Sequence, residues 1–296
     1  MAKQLTYAQK YYQKLKAKRA AEKQAQENAT PIDLDRVRTL SKLFVNEDLL
    51  KVHRTNTTVD RMFSHEGGIP VGTNVMCTGD PGVGKTTLLM HTLSNLQAAN
   101  PNAKCLFISA EMSKLQVFKY MKRFPEFANL ETMFTSDYFG HNMQTVIEKL
   151  LKKGYDYVLI DSIVEVLDAV KEDCGWSQGQ AEKWLIDLCV RHNEANNTAN
   201  RYTTFLLIQQ VTKNGVFVGS NKLKHITDAH MEMKRDSDRD GGGTYIMFSK
   251  NRNGSAGIRY NYRLGASTIT YDLPTEVTEG SQNAQFSLET NNELSF

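Results

Sequence analysis

The spacing of apolar and polar residues changes along the chain and predicts regions of different structure. In the first fifty residues the apolar positions recur at helical spacing, which predicts one helix over residues 6–26 and another over 33–50. From about residue 56, apolar runs of strand length alternate with longer helical stretches. This alternation is typical of a parallel sheet whose strands are joined by helices.

The central region contains five strand candidates, at residues 74–78, 104–109, 132–135, 156–161 and 203–209. Helices are predicted between them, at about 86–99, 113–123, 141–153 and 178–194. After Gln210, only turn residues separate four further strand candidates at 230–234, 244–249, 259–264 and 267–272, which favours an antiparallel extension. The predicted fold class is α/β: a mostly parallel twisted sheet flanked by helices, with an antiparallel extension and an N-terminal helical arm.

The same pattern predicts the domain organisation. Residues 1–30 are expected to form a basic amphipathic arm, 31–55 a linker with a docking helix, 56–273 the main domain, and 274–296 a polar, mostly disordered tail. A chain of 296 residues can bury one sizeable core. Its longest apolar runs are far shorter than a membrane span, so we expect a cytoplasmic protein without membrane contact.

Charge and cysteine content add two expectations. The first 30 residues carry seven Lys or Arg and two Glu, whereas the whole chain has a net charge of +3. A basic arm of this kind fits nucleic acid or an acidic partner surface, and the alternative is a solvated helix. The four cysteines form no C-x-x-C pair and are expected to be reduced core thiols rather than zinc ligands: Cys77, Cys105, Cys174 and Cys189.

A phosphate-binding loop follows the first central strand. Residues 79–86 match the pattern G-x-x-x-x-G-K-T, in which consecutive backbone N–H groups surround a triphosphate. Lys85 is expected to bridge the outer phosphates and Thr86 to hold Mg²⁺, while the following helix directs its positive end at the same anion. The nucleotide-binding residues predicted from this loop are Gly79, Asp80, Pro81, Gly82, Val83, Gly84, Lys85, Thr86 and Thr87.

Two carboxylates at strand ends are candidates for the chemistry. Asp161 ends an apolar strand and is predicted to be the second anchor for Mg²⁺, although it could simply cap the next turn. Glu111 follows the strand at 104–109 and could orient the attacking water. The alternative for Glu111 is a first-turn acid of the next helix.

Polar residues after two later strands complete the predicted site. Gln210 could sense the γ-phosphate and pass the signal to the loop behind it, and Gln209 is its rival because the strand end is uncertain by one residue. Lys250 and Arg252 follow the strand at 244–249 and could reach a phosphate outside the body of their own subunit. An ordinary solvated basic turn is the other interpretation.

Together these motifs resemble RecA-type ATPases, and within them the RadA/Sms DNA repair ATPases and the DnaB-type hexameric helicases. Residues 59–62 (Val-Asp-Arg-Met) and 67–72 (Gly-Gly-Ile-Pro-Val-Gly) are similar to the lead-in that RecA and RadA proteins place before this phosphate loop. Residues 109–113 resemble their catalytic-glutamate segment, and residues 160–163 resemble their metal-binding strand. The resemblance covers the ATPase core only, residues 58–272, without the RadA zinc module or protease-like domain.

The resemblance implies further roles. Residues 250–254 (Lys-Asn-Arg-Asn-Gly) are similar to motifs that complete the active site of a neighbouring subunit, so Lys250 and Arg252 are expected to act in trans. Residues 211–228 are similar to a DNA-contacting loop, in which Lys213, Lys222 and Lys224 would contact phosphates, with ordinary exposed lysines as the alternative. Residues 175–180 lie where these families have another DNA loop.

The resulting expectation is an ATP- and Mg²⁺-dependent motor that acts on single-stranded or branched DNA. It would assemble as a ring, for example a hexamer, or as a filament, and would act as a helicase or in branch migration during replication, recombination or repair. The basic arm could bind a replication or recombination protein. Two alternatives remain open: a strand-exchange recombinase, and an ATP-gated assembly or loader protein without motor activity.

Overall fold

A computed structural model describes residues 16–17, 39–42, 46–210, 223, 227–236 and 243–272. All but two residues of the predicted helix over 6–26 lie outside this set, as do Lys213, Lys222, Lys224 and the predicted tail. Residues 1–45 and 46–296 form separate units. In the first unit the described residues include a 3₁₀ turn at Leu40–Lys42. The sheet and the candidate site belong to the second unit.

The predicted continuous helix over residues 33–50 is wrong. The described residues instead form short 3₁₀ turns, one of them at Glu47–Leu50. Asn46 has an extended backbone, and its side chain accepts a hydrogen bond from the backbone N–H of Asp48. Because an N-cap of this type begins a new turn, no helix runs through residue 46.

The second unit is built on a nine-stranded sheet and a separate two-stranded ribbon. The ribbon pairs β1 with β2. The strands are β1 (Val52–His53), β2 (Ile69–Pro70), β3 (Asn74–Gly79), β4 (Cys105–Ser109), β5 (Glu131–Phe134), β6 (Tyr157–Asp161), β7 (Thr204–Ile208), β8 (Ala229–Asp236), β9 (Gly243–Asn251), β10 (Arg259–Leu264) and β11 (Ile269–Tyr271). The helices are α1 (Val59–Phe63), α2 (Lys85–Ala99), α3 (Lys114–Arg123), α4 (Met143–Leu151), α5 (Ile163–Cys174) and α6 (Gln178–Asn193). Two more 3₁₀ turns lie at Pro125–Asn129 and Thr135–Tyr138.

The strand order of the large sheet is β11-β10-β9-β8-β3-β7-β6-β4-β5. The pairs from β8 through β3 to β5 are parallel, and the pairs from β8 to β11 are antiparallel. This confirms the predicted mostly parallel sheet with an antiparallel extension. Strand β8 differs from the expectation, because it pairs parallel with β3 as well as antiparallel with β9. It therefore joins the two parts of the sheet.

Two apolar layers cover the sheet. On one face, α2 packs residues such as Leu89 and Leu93 against Val75 and Leu206 of the strands. On the other face, α4, α5 and α6 pack residues such as Ile147 and Val166 against neighbouring strand positions. Alternate residues of each central strand face opposite layers, so these strands are buried throughout.

The pattern missed two helices, α1 and α5. The segment that forms α5 begins Ile-Val-Glu-Val-Leu, and its β-branched residues weaken the helical signal. None of the helices in the described part of the chain combines the length and apolar composition needed to cross a membrane.

Candidate nucleotide-binding site

The phosphate loop lies where the chain leaves β3 and enters α2. Gly79 and Gly84 have φ angles of +156° and +97°. A Cβ atom on Gly79 would overlap the backbone oxygen of Met233 in β8, and one on Gly84 would overlap the side chain of Leu264 in β10. Glycine is thus required at both positions by backbone conformation and by close neighbours.

Strands β8 and β10 form hydrogen bonds with this loop. The backbone N–H of Asp80 donates to the carbonyl of Met233 at 3.2 Å, and the N–H of Arg235 donates to the Asp80 carboxylate at 3.1 Å. From the next strands, the buried Tyr262 hydroxyl donates to the carbonyl of Val83 at 2.7 Å. These contacts fix the loop backbone before any ligand binds.

Lys85 is the first residue of α2, and its side chain folds back over the loop. Its Nζ donates to the carbonyls of Gly79 and Asp80, at 2.8 and 3.1 Å. The N–H groups at the start of α2 point to the same space, and a helix N-terminus favours anions. Ammonium group and helix end are therefore placed to bind one anion together.

Asp161 lies at the carboxyl end of β6 and is only 1% exposed. Its Oδ2 accepts a hydrogen bond from the Thr86 hydroxyl at 2.5 Å, and its Oδ1 has no hydrogen-bond partner among the described residues. Burial raises the pKa of Asp161 to about 6; the Thr86 hydrogen bond opposes this rise, and the charge of Glu111 adds to it. A buried carboxylate oxygen without a partner, next to a hydroxyl, is a donor set that fits Mg²⁺.

Glu111 and Gln210 meet at the edge of the sheet next to Asp161. Ser109, Asp161 and Ile208 lie side by side at the ends of β4, β6 and β7. The chain beyond β4 is anchored because the N–H groups of Ala110 and Glu111 donate to the carbonyl of Asp161, at 2.7 and 3.2 Å. The side-chain amide of Gln210 donates to the carboxylate of Glu111 at 3.3 Å.

Gln209, the rival candidate, is buried, and its backbone N–H donates to the carbonyl of Cys77. Gln210 is therefore the glutamine whose side chain lies beside Glu111. It also donates to Glu165 at 3.1 Å. Glu165 was not predicted from the sequence. Its position in the first turn of the helix after Asp161 is the feature that could have indicated a place near the site.

A cavity of about 510 Å³ joins these groups. The phosphate loop, Glu111, Asp161 and Gln210 are part of its lining. Its lining also includes residues that the sequence did not single out, among them Tyr120 and Arg123 of α3 and Leu264 of β10. The Nε of Arg123 donates to the carbonyl of Ala266 at 2.5 Å, so α3 is tied to the turn between β10 and β11.

Comparison with known proteins identifies the family. The family model described as "ATPase: KaiC" matches residues 54–257. The chain belongs to the KaiC ATPase family. The predicted resemblance to RecA-type P-loop ATPases is thereby confirmed, and nucleotide binding is a property of this family.

Two relatives of this KaiC-family chain are both named DNA repair protein RadA. The one from Campylobacter jejuni is 30% identical over 174 residues, which are 59% of this chain and 36% of that protein. The one from Pseudomonas aeruginosa is 28% identical over 204 residues, which are 68% of this chain and 41% of that protein. The chain thus spans less than half the length of these relatives.

Solved structures support the KaiC-family fold. A KaiC-like protein from Pyrococcus horikoshii has a TM-score of 0.58 at 17% identity, covering 75% of this chain and 99% of that one. The flagellar accessory protein FlaH from Methanocaldococcus jannaschii has a TM-score of 0.56 at 11% identity, covering 75% of this chain and all of that one. At these identities the likeness concerns the fold alone.

Lys250 and Arg252 lie away from the phosphate loop of this KaiC-family chain. The Nζ of Lys250 donates to the carbonyl of Thr227 at 2.5 Å, and Arg252 forms an ion pair with Asp228 at 3.0 Å. Asp228 in turn accepts from the backbone N–H of Asn74, the first residue of β3. The pair is therefore at the opposite end of β3 from the loop, roughly 16 Å along the strand.

Proposed function

We propose that this KaiC-family ATPase is a DNA-dependent motor that hydrolyses ATP between subunits and translocates on, or remodels, single-stranded or branched DNA. The observation that carries the proposal is the position of Gln210. Its amide donates a hydrogen bond to Glu111 in the lining of the cavity, and the next residues along the chain are the segment with Lys213, Lys222 and Lys224. A change at the γ-phosphate would thus reach the proposed DNA loop through one side chain.

In this proposal the phosphates of ATP bind the loop N–H groups and Lys85. Thr86 and Asp161 would hold Mg²⁺, which neutralises phosphate charge when it is bound. Glu111 orients the attacking water, and the Gln210 amide holds the Glu111 carboxylate in position. The nucleoside would bind in the same cavity, whose lining also includes Tyr120, Arg123 and Leu264.

The DNA part of the proposal draws on the name of the RadA relatives and on the lysines of residues 211–226. A protein that neutralises several phosphates with lysine loses affinity steeply as salt is raised. DNA-stimulated hydrolysis should therefore decrease with salt, while hydrolysis without DNA should change little.

The test is the rate of ATP hydrolysis with and without single-stranded DNA across a salt series. We expect DNA to raise the rate of the natural chain, and Lys213→Ala/Lys222→Ala/Lys224→Ala to abolish this rise. Lys152→Ala/Lys153→Ala, which changes two exposed lysines elsewhere, is the matched control and should respond to DNA normally. A rate that is indifferent to DNA at every salt concentration would contradict the motor and favour an ATP-gated assembly protein.

The variant Lys85→Ala tests the nucleotide site independently of the proposed DNA site. Without its ammonium group the variant should lose hydrolysis by orders of magnitude and keep binding to DNA. Full hydrolysis by Lys85→Ala would disprove the assignment of the phosphate loop.

A further inference from the structure

Helix α3 presents an apolar surface to solvent beside the candidate site. Leu115 and Phe118, one helical turn apart, are 63% and 47% exposed, and none of the ten residues of α3, all of them described, is buried. Phe139, just after the turn at Thr135–Tyr138, is 97% exposed, and Tyr138 is also exposed. We call Leu115, Phe118, Tyr138 and Phe139 the α3 patch.

The two segments of the α3 patch are held next to each other. Lys114, at the start of α3, forms an ion pair with Asp137 at 2.5 Å, and its Nζ lies 5.9 Å from the centre of the Phe134 ring. The inner side of α3 is occupied by Val117 and Tyr120, which pack against the core. The outer side is therefore available to another group, and exposed apolar surface of this kind marks a binding site.

The charge around the patch selects the kind of partner. Helix α3 carries Lys114, Lys119, Lys122 and Arg123 and no acidic residue. The Nζ of Lys122 lies 5.0 Å from the centre of the Phe118 ring, so cation and apolar surface are adjacent. An acidic segment with apolar side chains is complementary to this surface, whereas the basic first 30 residues of the chain are not.

Residues 273–296 of the same chain have this composition. They contain four glutamates, no Lys or Arg, and apolar residues that include Phe286, Leu288 and Leu294. The described chain ends at Asp272, whose N–H donates to the carbonyl of Asn261 in β10. A random coil of this length would span roughly 25 Å on average, and α3, tied through Arg123 to the β10–β11 turn, is about 15 Å long.

We propose that residues 273–296 bind the α3 patch of their own chain, with the glutamates against Lys119 and Lys122 and the apolar side chains on Leu115, Phe118 and Phe139. This proposal goes beyond the proposed motor function, since it concerns binding that needs neither ATP nor DNA.

The test is photocrosslinking in the full chain, with p-benzoylphenylalanine in place of Phe286. Irradiation followed by peptide mass spectrometry should give crosslinks to residues 114–123 or 135–139. Mixing isotopically heavy and light chains distinguishes binding within one chain from binding between chains. Crosslinks found only between heavy and light chains, or crosslinks without preference for the α3 patch, would overturn the proposal.

Exchanging the charges between α3 and residues 273–296 distinguishes a loss of binding from a loss of folding. Lys119→Glu/Lys122→Glu should weaken docking roughly tenfold and lower the crosslink yield accordingly. Adding Glu289→Lys/Glu293→Lys should restore the yield, because the charges are again opposite. Lys152→Glu/Lys153→Glu reverses two exposed lysines away from α3 and should leave the yield unchanged. Equal loss in this control, or no recovery in the exchanged variant, would count against the proposal.

Discussion

At the residue scale, the buried charge of Asp161 destabilises the folded state, while the same residue has a proposed chemical role. Its carboxylate is almost fully buried, and its only hydrogen bond among the described residues is the one from Thr86. Burying a charge with so few partners disfavours the folded state. A residue of this kind is retained where a function requires it, which is consistent with a place for Mg²⁺.

This conflict predicts that Asp161→Asn stabilises the protein. Because the pKa of Asp161 is raised to about 6, its charge costs the folded state about 3 kcal/mol at neutral pH. Well below pH 4 the carboxyl is protonated in both the folded and the unfolded state and costs nothing; the cost then grows as the pH rises from about 4 to about 6.

Denaturant unfolding without Mg²⁺ or nucleotide should therefore show Asp161→Asn more stable than the natural chain at pH 8, with little difference at pH 4. The same variant should lose Mg²⁺-dependent hydrolysis. A variant less stable than the natural chain at pH 8 would contradict this account of Asp161.

Cysteine reactivity is a second prediction at this scale. Burial raises the pKa of Cys77 and of Cys105 to about 12 and that of Cys189 further, so at pH 8 fewer than roughly one in a thousand of these thiols is ionised. Cys174 is only partly buried. Iodoacetamide should label Cys174 in the native protein and the other three only in denaturant, as measured by peptide mass spectrometry. Rapid native labelling of Cys77 would contradict the buried core thiol.

The site residues that could be predicted from the sequence are those that belong to a strong local pattern. Lys85 and Thr86 belong to a loop of fixed spacing, and Asp161 ends an apolar strand. Glu165 and Tyr120 were missed because each is an ordinary helix residue in sequence. Their positions depend on how α5 and α3 meet the sheet edge, and this is set by tertiary packing.

At the element scale, the antiparallel extension supports the phosphate loop. The central strands could be predicted because they are buried on both faces and read as apolar runs. The pairing of β8 with β3 could not be predicted, because the two strands are far apart in sequence and no tight turn marks them as neighbours. Only the structure places β10 against the loop, through Leu264 and Tyr262.

This support predicts that Gly84→Ala disrupts the loop. Alanine would be strained at a φ of +97° and would overlap Leu264, so we expect loss of nucleotide affinity and a loss of stability of about 1 kcal/mol or more. Fluorescent nucleotide binding and thermal unfolding measure the two effects. Leu264→Ala in the same chain should relieve the overlap and recover part of the stability.

Gly179→Ala is the matched control for this substitution. Gly179 lies in α6, and a Cβ atom added to it would meet no atom of the described residues within 4 Å, so alanine should be neutral or stabilising by about 0.5–1 kcal/mol. If both variants behaved alike, contact with β10 would not be what requires glycine at position 84.

At the scale of the whole molecule, the two parts of the proposed catalytic site lie far apart within one chain. The phosphate loop lies at the carboxyl end of β3, and Lys250 and Arg252 lie at its amino end, held by Thr227 and Asp228. At roughly 16 Å along β3, both cations are too far away to contact a phosphate bound in their own loop. If they act in catalysis, they act on the nucleotide of another subunit.

Subunit mixing tests this arrangement. Arg252→Ala and Glu111→Ala should each abolish most hydrolysis alone, because every interface then lacks one component. In a mixture, an interface that combines the intact Glu111 of one subunit with the intact Arg252 of another is complete, and activity should return to about a quarter of normal at equal amounts if subunits assort at random and each interface acts alone. The double variant Glu111→Ala/Arg252→Ala, mixed with either single variant, is the control and should give no recovery. Recovery that fails at every ratio, while both variants still assemble, would place Lys250 and Arg252 outside the catalytic site.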